Sequence, residues 1–554
     1  QKEIGSITVT ESPRLPYRGM MIDVSRHFHD KDFILKQIDA MASLKLNNLH
    51  LHLTDGAGWR LEIQRYPRLS KYAAWRPQRL CMDWEENGKQ YCDENTPGAY
   101  GGYFTRDDIK EIVDYAADRY INVIPEIEMP AHSEEVIAAY PELNCTGASG
   151  SREFCPGNEA TFEFIENVLD EVMEMFPSQY IHVGGDEANK SGWRQCDRCA
   201  KRMADEGISD PNDLQNYLIC RVGRYLRDHG RTLLGWDELL EGNGFPEGAS
   251  VMVWRDPATA EKAARDGHDV ILTPSTHCYL DYYQDAPPAQ PIAFGGYIPA
   301  EMTYSYDPVP PSLPDSLRRF IKGLQGNLWC EWIPTDSHAE YMLYPRMIAI
   351  AEAAWSPQEL RSWDTFKPRM TAVADRMRAN GYNTYDITTE AGNRAESRQS
   401  IDHLAKGCQV TYNLPWWNKY TAGGATTLTD GLRGGWAYQD KRWQGFFPRG
   451  DWSLDVTIDL GASMPVGYIG ADFMQRNIHD VWMPDKVVIS VSDNGTDFTT
   501  LQEIPHIVEP MTNLMFKNFY WTGSTKARYV RYQAHAARGV LFTDEIVVLP
   551  SSSK

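Results

Sequence analysis

Eight short apolar runs, each suited to a buried strand, recur along the first two thirds of the chain. Between them, apolar residues repeat every three or four positions, as on one face of a helix. The runs are Gly19–Val24, Leu49–Thr54, Ile121–Ile127, Tyr180–Val183, Thr232–Trp236, Val251–Trp254, Asp269–Thr273 and Gly326–Trp329. Strands that alternate with helices build a parallel sheet. Eight such units predict a (β/α)8 barrel over residues 15–380. A doubly wound sheet is the competing fold, but no G-x-G-x-x-G motif follows any run.

Charged and aromatic residues follow the end of nearly every run. They are Asp23–Arg26, Asp55, Glu126–Glu128–His132, Asp186–Glu187, Trp236–Asp237, Trp254–Arg255, Tyr279–Asp281 and Trp329–Glu331. In a barrel the carboxyl ends of the strands converge on one face, where such enzymes bind their substrates. A solvated loop with two charges is the alternative for Asp186 and Glu187 taken alone. Because charged and aromatic residues recur at the other strand ends, the sequence predicts a single polar and aromatic pocket instead.

The pattern changes after the predicted barrel. Residues 381–407 are polar and are predicted to be a linker, and residues 1–14 a lead-in to the barrel. Over residues 408–554, short alternating runs are separated by Asp–Gly and Asn–Gly turns. The runs are Trp452–Leu460, Val466–Phe473, Lys486–Val491 and Tyr529–Tyr532. This pattern predicts an antiparallel, all-β jelly-roll sandwich.

Charge and hydropathy exclude two classes of partner. The net charge of −21 argues against nucleic acid, because phosphate contacts need a clustered basic surface. The sequence has no apolar run near the length of a membrane span, so we expect no transmembrane segment. Aromatic residues make up 12% of the chain, a content that suits stacking against sugar rings.

Ten cysteines leave their chemistry open. The pairs Cys81/Cys92 and Cys145/Cys155 each enclose about ten loop residues, which suits short disulfides in an oxidising compartment. Cys196 and Cys199 form a lone C-x-x-C, and two thiolates do not complete a tetrahedral zinc site. We expect a local disulfide or free thiols there, and no metal.

The adjacent carboxylates of Asp186 and Glu187 suggest glycoside hydrolysis, in which a carboxylic acid protonates the leaving oxygen. Consecutive side chains diverge, so the two are unsuited to flank one bond as acid and nucleophile. A substrate that carries its own nucleophile, such as a 2-acetamido group, resolves this. Glu187 would then be the acid and Asp186 would orient the amide. Because two close carboxylates resist ionising together, we expect a raised pKa for Glu187.

The chain resembles the family 20 glycoside hydrolases, the β-N-acetylhexosaminidases, in seven ordered motifs. These are Arg18–Phe28, His50–Asp55 with Gly58–Arg60, Glu126–His132, His182–Glu187, Gly235–Glu238, Trp254–Arg255 and Trp329–Trp332. The resemblance implies substrate-assisted, retaining catalysis through an oxazolinium intermediate, without a catalytic cofactor or metal. It places the catalytic pair on Asp186 and Glu187.

The resemblance also implies substrate-binding residues. Arg18 and Glu331 would hold ring hydroxyls. Trp236, Trp254 and Trp329 would wall the acetamido pocket, with Tyr279 donating to the amide oxygen. Asp281 would contact an outer hydroxyl, and Asp55 and His132 would support the catalytic glutamate. Many members carry a separate α+β domain ahead of the barrel, for which about fifteen residues before Arg18 are too few; we expect that it was removed or is lacking in this lineage.

The C-terminal part looks similar to discoidin-type (coagulation factor 5/8 type C) modules. The matching stretches are Leu428–Gly431, Trp443–Phe446, Ile458–Gly461 and Ser490–Gly495. Such modules often bind carbohydrate and can hold a structural calcium ion. The sequence leaves open whether this module binds carbohydrate or only supports the barrel.

The predicted function is removal of terminal, non-reducing β-linked GlcNAc or GalNAc from oligosaccharides or glycoconjugates. A related enzyme that releases a disaccharide, similar to lacto-N-biosidases, is one alternative. A metal-dependent amidohydrolase is another, because His50 and His52 share one face of a strand, although Trp236 and Trp254 stand where such sites need histidines. A non-catalytic glycan-binding scaffold is the third. A sequon at Asn189, close to Glu187, favours a bacterial host, and we expect a secreted, periplasmic or cell-surface protein.

Overall fold

The structure, a computed structural model, describes residues 11–145, 152–242, 244–309, 313–510 and 514–551. It forms two compact units, one of Gln1–Gln284 with Ile298–Thr389 and the other of Asp285–Tyr297 with Glu390–Lys554. Residues 285–297 and most of the predicted linker therefore belong to the second unit. The reason is local bonding: the Asp285 carboxylate accepts the backbone N–H groups of Ala391 and Gly392 at 2.9 and 2.7 Å.

The first unit is a closed barrel of eight parallel strands, which confirms the predicted fold class. The strands are β1 (Tyr17–Asp23), β2 (Asn48–His52), β3 (Asn122–Glu126), β4 (Tyr180–His182), β5 (Thr232–Trp236), β6 (Ser250–Val253), β7 (Val270–Leu272) and β8 (Ile321–Leu328). Each strand pairs with its neighbour in the chain, and β8 closes the barrel against β1. All eight predicted strands are present, with ends shifted by a few residues.

Helices follow the strands and turn their apolar stripes toward the barrel. They are α1 (Lys31–Ser43), α2 (Cys81–Glu86), α3 (Arg106–Ala117), α4 (Glu134–Ala139), α5 (Glu159–Met175), α6 (Ser191–Arg194), α7 (Asp197–Glu206), α8 (Pro211–Asp228), α9 (Pro257–Arg265), α10 (Ala300–Ser305), α11 (Asp315–Arg318), α12 (Asp336–Leu343), α13 (Arg346–Trp355) and α14 (Trp363–Ala379). On α1, Phe33, Ile34, Ile38 and Met41 are buried, as their spacing predicts. Asp30 caps this helix by accepting the N–H of Phe33.

The second unit is an antiparallel, all-β unit. Its strands are β9 (Gln409–Tyr412), β10 (Gln444–Phe446), β11 (Leu454–Gln475), β12 (Lys486–Ser492), β13 (Thr499–Pro505), β14 (Met515–His535) and β15 (Leu541–Pro550). The sheet order is β10-β15-β11-β14-β12-β13, and β9 pairs with β11. The two predicted runs 452–460 and 466–473 form the single strand β11, whose register shifts between Asp459 and Met464. A β-bulge at this point allows one strand to continue where the sequence pattern suggests two separate strands.

All ten cysteines are described and all are free thiols, so the expected disulfides are wrong. Cys81 is buried beside Ala57 and Trp84, which gives it an apolar packing role. Cys145 and Cys155 instead lie near two further cysteines. Within the described residues, no helix is both long and apolar enough to cross a membrane.

Candidate active site at the carboxyl ends of the barrel strands

Two glycines after β4 deliver Asp186 and Glu187 to the mouth of the barrel. Gly184 and Gly185 have φ values of 64° and 102°, in the region that favours glycine. A Cβ atom on Gly184 would lie 1.8 Å from the Glu128 carboxylate, so the chain passes too close for any other residue. The turn therefore places two consecutive carboxylates just past the strand end, as the sequence predicts.

The imidazole of His132 lies among three carboxylates. Its Nδ1 is 3.3 Å from Asp55, and its Nε2 is 3.4 Å from Asp186 and 3.6 Å from Glu187. Burial opposes a charged ring, but Asp55 and Asp186 more than offset it and raise the pKa of His132 well above its usual value. The raised pKa favours the charged imidazolium form of the ring between these carboxylates.

The pKa of Glu187 differs from the prediction. The expected rise in its pKa is wrong, because the hydrogen bond and charge of His132 lower the pKa of Glu187 below its usual value. The expected rise rests on the neighbouring carboxylate of Asp186 alone. The nearest charged group that the fold supplies is a cation, and the Glu187 side chain is still 61% exposed.

A second ionic cluster forms where β1 and β8 end. Nη2 of Arg26 lies 2.7 Å from Asp55, and Nη1 lies 3.1 Å from Asp23 and 3.4 Å from Glu331. Burial works against the charge, but these carboxylates raise the pKa of Arg26 well above its usual value. The guanidinium also lies over the ring of Trp329, 5.3 Å from its centroid. Arg26 thus links Asp55, which contacts His132, with Glu331.

Arg18, which was expected to hold ring hydroxyls together with Glu331, does not join this cluster. It is the second residue of β1, so it lies at the amino end of the strand, opposite the mouth. Its guanidinium donates to the carbonyl oxygens of Lys45 and Leu15 at 2.7 and 3.0 Å and lies over Trp355. Arg26, three residues past the strand, is the residue that was missed. Its position after a strand end was the signal that could have found it.

Four aromatic residues follow the strands β5 to β8 and form one wall. Trp236 and Trp329 have ring centroids 5.9 Å apart, Trp329 and Tyr279 6.1 Å, and Tyr279 and Trp254 6.1 Å. Trp236 is fully buried, whereas Trp254 and Trp329 are half-buried. The structure thus brings together the aromatic residues that the sequence selected.

Several buried polar atoms around this wall have no hydrogen-bond partner in the protein. They are Asp186 Oδ1, Trp236 Nε1, Asp281 Oδ1 and Glu331 Oε2. Burial, and then the charge of Glu331, raise the pKa of Asp281 well above its usual value. Buried polar groups in folded proteins are nearly always paired, so a polar ligand is the natural partner for these atoms.

Glu238 is a further site residue that the sequence reasoning did not select. It follows β5, and one of its oxygens accepts the indole N–H of Trp254 at 3.0 Å. Burial raises the pKa of Glu238 to about 8, and the charge of Asp186 adds to the rise. Glu238, Trp254 and Glu187 line an open cleft of about 320 Å³.

His50 and His52, the two histidines of β2, belong to an internal ion network with His182 and Glu126. His50 and His182 lie 3.1 and 2.9 Å from the carboxylate of Glu126, and His52 hydrogen-bonds to it as well. All four side chains are at most 1% exposed. The paired imidazoles that suggested an amidohydrolase therefore surround a buried carboxylate beneath the mouth, where a substrate has no access.

Comparisons with known proteins agree with this geometry. The model of the glycosyl hydrolase family 20 catalytic domain matches residues 15–358. A β-hexosaminidase of Porphyromonas gingivalis is 41% identical over 69% of this chain and 48% of its own length. One from Vibrio furnissii is 36% identical over 62% of this chain and 57% of its own length.

A solved structure extends the likeness to the fold. The exo-β-N-acetylglucosaminidase of Vibrio harveyi, crystallised with N-acetylglucosamine, is 32% identical with a TM-score of 0.60, over 68% of this chain and 59% of that one. The chain spans about half the length of the curated relatives it matches. The family model covers more than half of this chain, including every residue of the mouth described above. The chain belongs to glycosyl hydrolase family 20.

Proposed function

We propose that the protein is an exo-acting β-N-acetylhexosaminidase that hydrolyses terminal, non-reducing β-linked GlcNAc or GalNAc from glycans. The observation that carries the proposal is the contact of His132 with Asp55, Asp186 and Glu187 at the barrel mouth. It gives the two consecutive carboxylates a common source of protons while an aromatic wall stands beside them. Family membership and the names of the relatives support the same activity.

Glu187 is the proposed general acid. It is exposed enough to reach a glycosidic oxygen, and it lies 3.6 Å from the protonated His132. The proton held between His132 and Glu187 would pass from Glu187 to the leaving oxygen as the bond to C1 breaks. Ionised Glu187 would then take a proton from the incoming water. Asp55 would hold the imidazole in position from its other nitrogen.

Asp186 is the proposed partner of the substrate acetamido group. It is more buried than Glu187, with 16% of its side chain exposed, and its Oδ1 has no partner in the protein. A carboxylate there would accept the amide N–H and stabilise the positive charge that forms when the carbonyl oxygen attacks C1. The oxazolinium ion so formed would be opened by water, which retains the configuration at C1.

The remaining polar atoms suit a terminal sugar. Arg26, Asp281 and Glu331 lie together and would bind ring hydroxyls, with Arg26 in the role first predicted for Arg18. Trp236, Trp254 and Trp329 would enclose the acetamido methyl group, and Tyr279 would donate to its oxygen. A ligand that leaves buried polar atoms unpaired is rejected, and the free hydroxyls of a terminal sugar could pair with Asp281 and Glu331, which favours an exo mode.

Hydrolysis of aryl β-glycosides of GlcNAc and GalNAc, followed by NMR, tests the proposal. We expect the β-anomer of the free sugar as first product and tight binding of a thiazoline that mimics the cyclised intermediate. Glu187→Gln should lower kcat on natural glycosides about 10²-fold or more with little change in affinity. Glu247→Gln, with a fully exposed side chain, is the control. A full rate with Glu187→Gln, or equal affinity for thiazoline and free sugar, would refute the assignment.

The second unit is proposed to be a discoidin-like module that binds carbohydrate and holds a structural calcium ion. The antiparallel sheet is compatible with such a module. Among described residues, the three clusters of metal-ligating side chains all lie in the barrel unit, so carbonyl oxygens would have to supply most calcium ligands. We further propose that the protein acts outside the cytoplasm, where it would encounter polymeric glycans. Isothermal titration of the whole protein with calcium and with oligosaccharides tests the first proposal.

A further inference from the structure

Four cysteines that are distant in sequence converge beside the loop that carries Glu187. Cys145 follows the short turn Pro141–Leu143, Cys155 precedes α5, and Cys196 and Cys199 stand at the start of α7. Their Sγ atoms all lie within 4.8 Å of one another. Cys155 and Cys199 are fully buried and Cys196 nearly so. The lone C-x-x-C of the sequence is thus half of a four-thiol cluster.

The spacing of the sulfur atoms matches a metal site. Cys145 and Cys199 are 3.7 Å apart, Cys155 and Cys199 3.7 Å, and Cys155 and Cys196 3.8 Å. A disulfide needs a separation of about 2.05 Å. Zinc binds thiolates at about 2.3 Å in a tetrahedron, whose edge is then about 3.8 Å. These three separations equal that edge within 0.1 Å.

The backbone around the cluster has the form that such a site needs. A Cβ atom on Gly157 would lie 2.3 Å from the carbonyl carbon of Arg198, so only glycine allows the turn after Cys155 to pack against the C-x-x-C segment.

We propose that Cys145, Cys155, Cys196 and Cys199 bind one structural zinc ion that fixes the loop of the catalytic acid. Four thiolates leave no open position, so the metal takes no part in the reaction. Arg198, which donates to the carbonyl oxygens of Asn144 and Cys145, offsets part of the negative charge.

The chain beside Cys155 connects the cluster to the active site. Phe154 donates its N–H to Pro130, in the loop that leads to His132, and accepts the indole N–H of Trp193. The Glu153 carboxylate accepts the N–H of Asn189, two residues past Glu187. Trp193 and Ala188 belong to the same apolar cluster as the four cysteines. Zinc would thus hold the loops of His132 and Glu187 in one arrangement.

Metal analysis of the full chain, purified without chelators or added metal, tests the proposal. We expect about one zinc ion per chain by mass spectrometry and four sulfur neighbours near 2.3 Å by X-ray absorption. Cys199→Ser should lose most of the zinc and melt at a temperature lower by roughly 5 °C or more. Cys220→Ser, a half-exposed thiol outside the cluster, should keep both.

Thiol counting in denaturant with a chelator keeps the test valid if Cys199→Ser fails to fold. All ten cysteines of the wild-type chain should then react. Two or four missing thiols, with zinc well below one per chain, would show disulfides and overturn the proposal. Stoichiometric iron in place of zinc would overturn the choice of metal. Because the readouts are metal and thiol content, they do not depend on the proposed hydrolase activity.

Discussion

Nδ1 of His132 lies 3.3 Å from Oδ2 of Asp55, across two neighbouring strand ends of the barrel. This contact directs the other ring nitrogen toward Glu187, at 3.6 Å. Because the pKa of His132 is raised and that of Glu187 is lowered, the proton resides on the ring in the free protein. We therefore predict that the two groups share one proton as they titrate.

The pH dependence of kcat/KM should reveal this pair. In the wild type, the shared proton is lost only as the pH rises through the raised pKa of His132, well above 6.5, so activity should persist through neutral pH. In His132→Gln, only Glu187 can hold the proton. The falling limb should then move to lower pH by at least about one unit. An exposed residue at the end of α8 provides the control, His229→Gln. An unchanged limb in His132→Gln would contradict the shared proton.

Asp186→Asn should lower kcat about 10²- to 10³-fold on a substrate with a 2-acetamido group, because the developing positive charge loses its carboxylate. Affinity for the thiazoline mimic should fall as well, since that ligand presents the same charge. Steady-state kinetics and inhibition constants measure both effects. The exposed Asp228→Asn is the matched control. Loss of thiazoline affinity without loss of rate would argue against charge stabilisation.

Arg26→Lys should raise KM and lower kcat/KM by roughly 10²-fold, because a single ammonium replaces a planar group that contacts Asp55, Asp23 and Glu331. Arg18→Lys should leave both constants within about twofold of the wild type, since Arg18 binds carbonyl oxygens at the opposite end of β1. The two arginines serve as controls for each other. A larger kinetic effect at Arg18 would reverse the correction made from the structure.

Gly184→Ala should lower the melting temperature and the activity together, because the new methyl group would overlap the Glu128 carboxylate. Gly207→Ala is the comparison: Gly207 has a similar φ of 69° but open space around it, so its cost is the backbone strain of about 1 kcal/mol alone. Thermal unfolding of both variants separates strain from overlap. Equal melting temperatures would show that the Glu128 side chain yields without cost.

Local patterns were sufficient for the barrel. The eight strands follow from short continuous apolar runs and the stripe on α1 from a spacing of about 3.6 residues, and both patterns depend only on neighbouring residues. The same patterns placed Asp186, Glu187, Trp236, Trp254 and Trp329 at strand ends, where the structure has them. Arg18 was selected through the family resemblance, although it precedes the predicted run Gly19–Val24 and Arg26 follows that run.

The amino-acid sequence by itself determined the fold class, the two kinds of unit and most of the residues at the barrel mouth. Only the tertiary structure decided what those residues have as neighbours. It set His132, rather than Asp186, as the group that governs the pKa of Glu187, and it joined Cys145 and Cys155 to the C-x-x-C. The physical reason is that electrostatic interaction and metal coordination depend on distance in space, which residues far apart in the chain acquire only on folding.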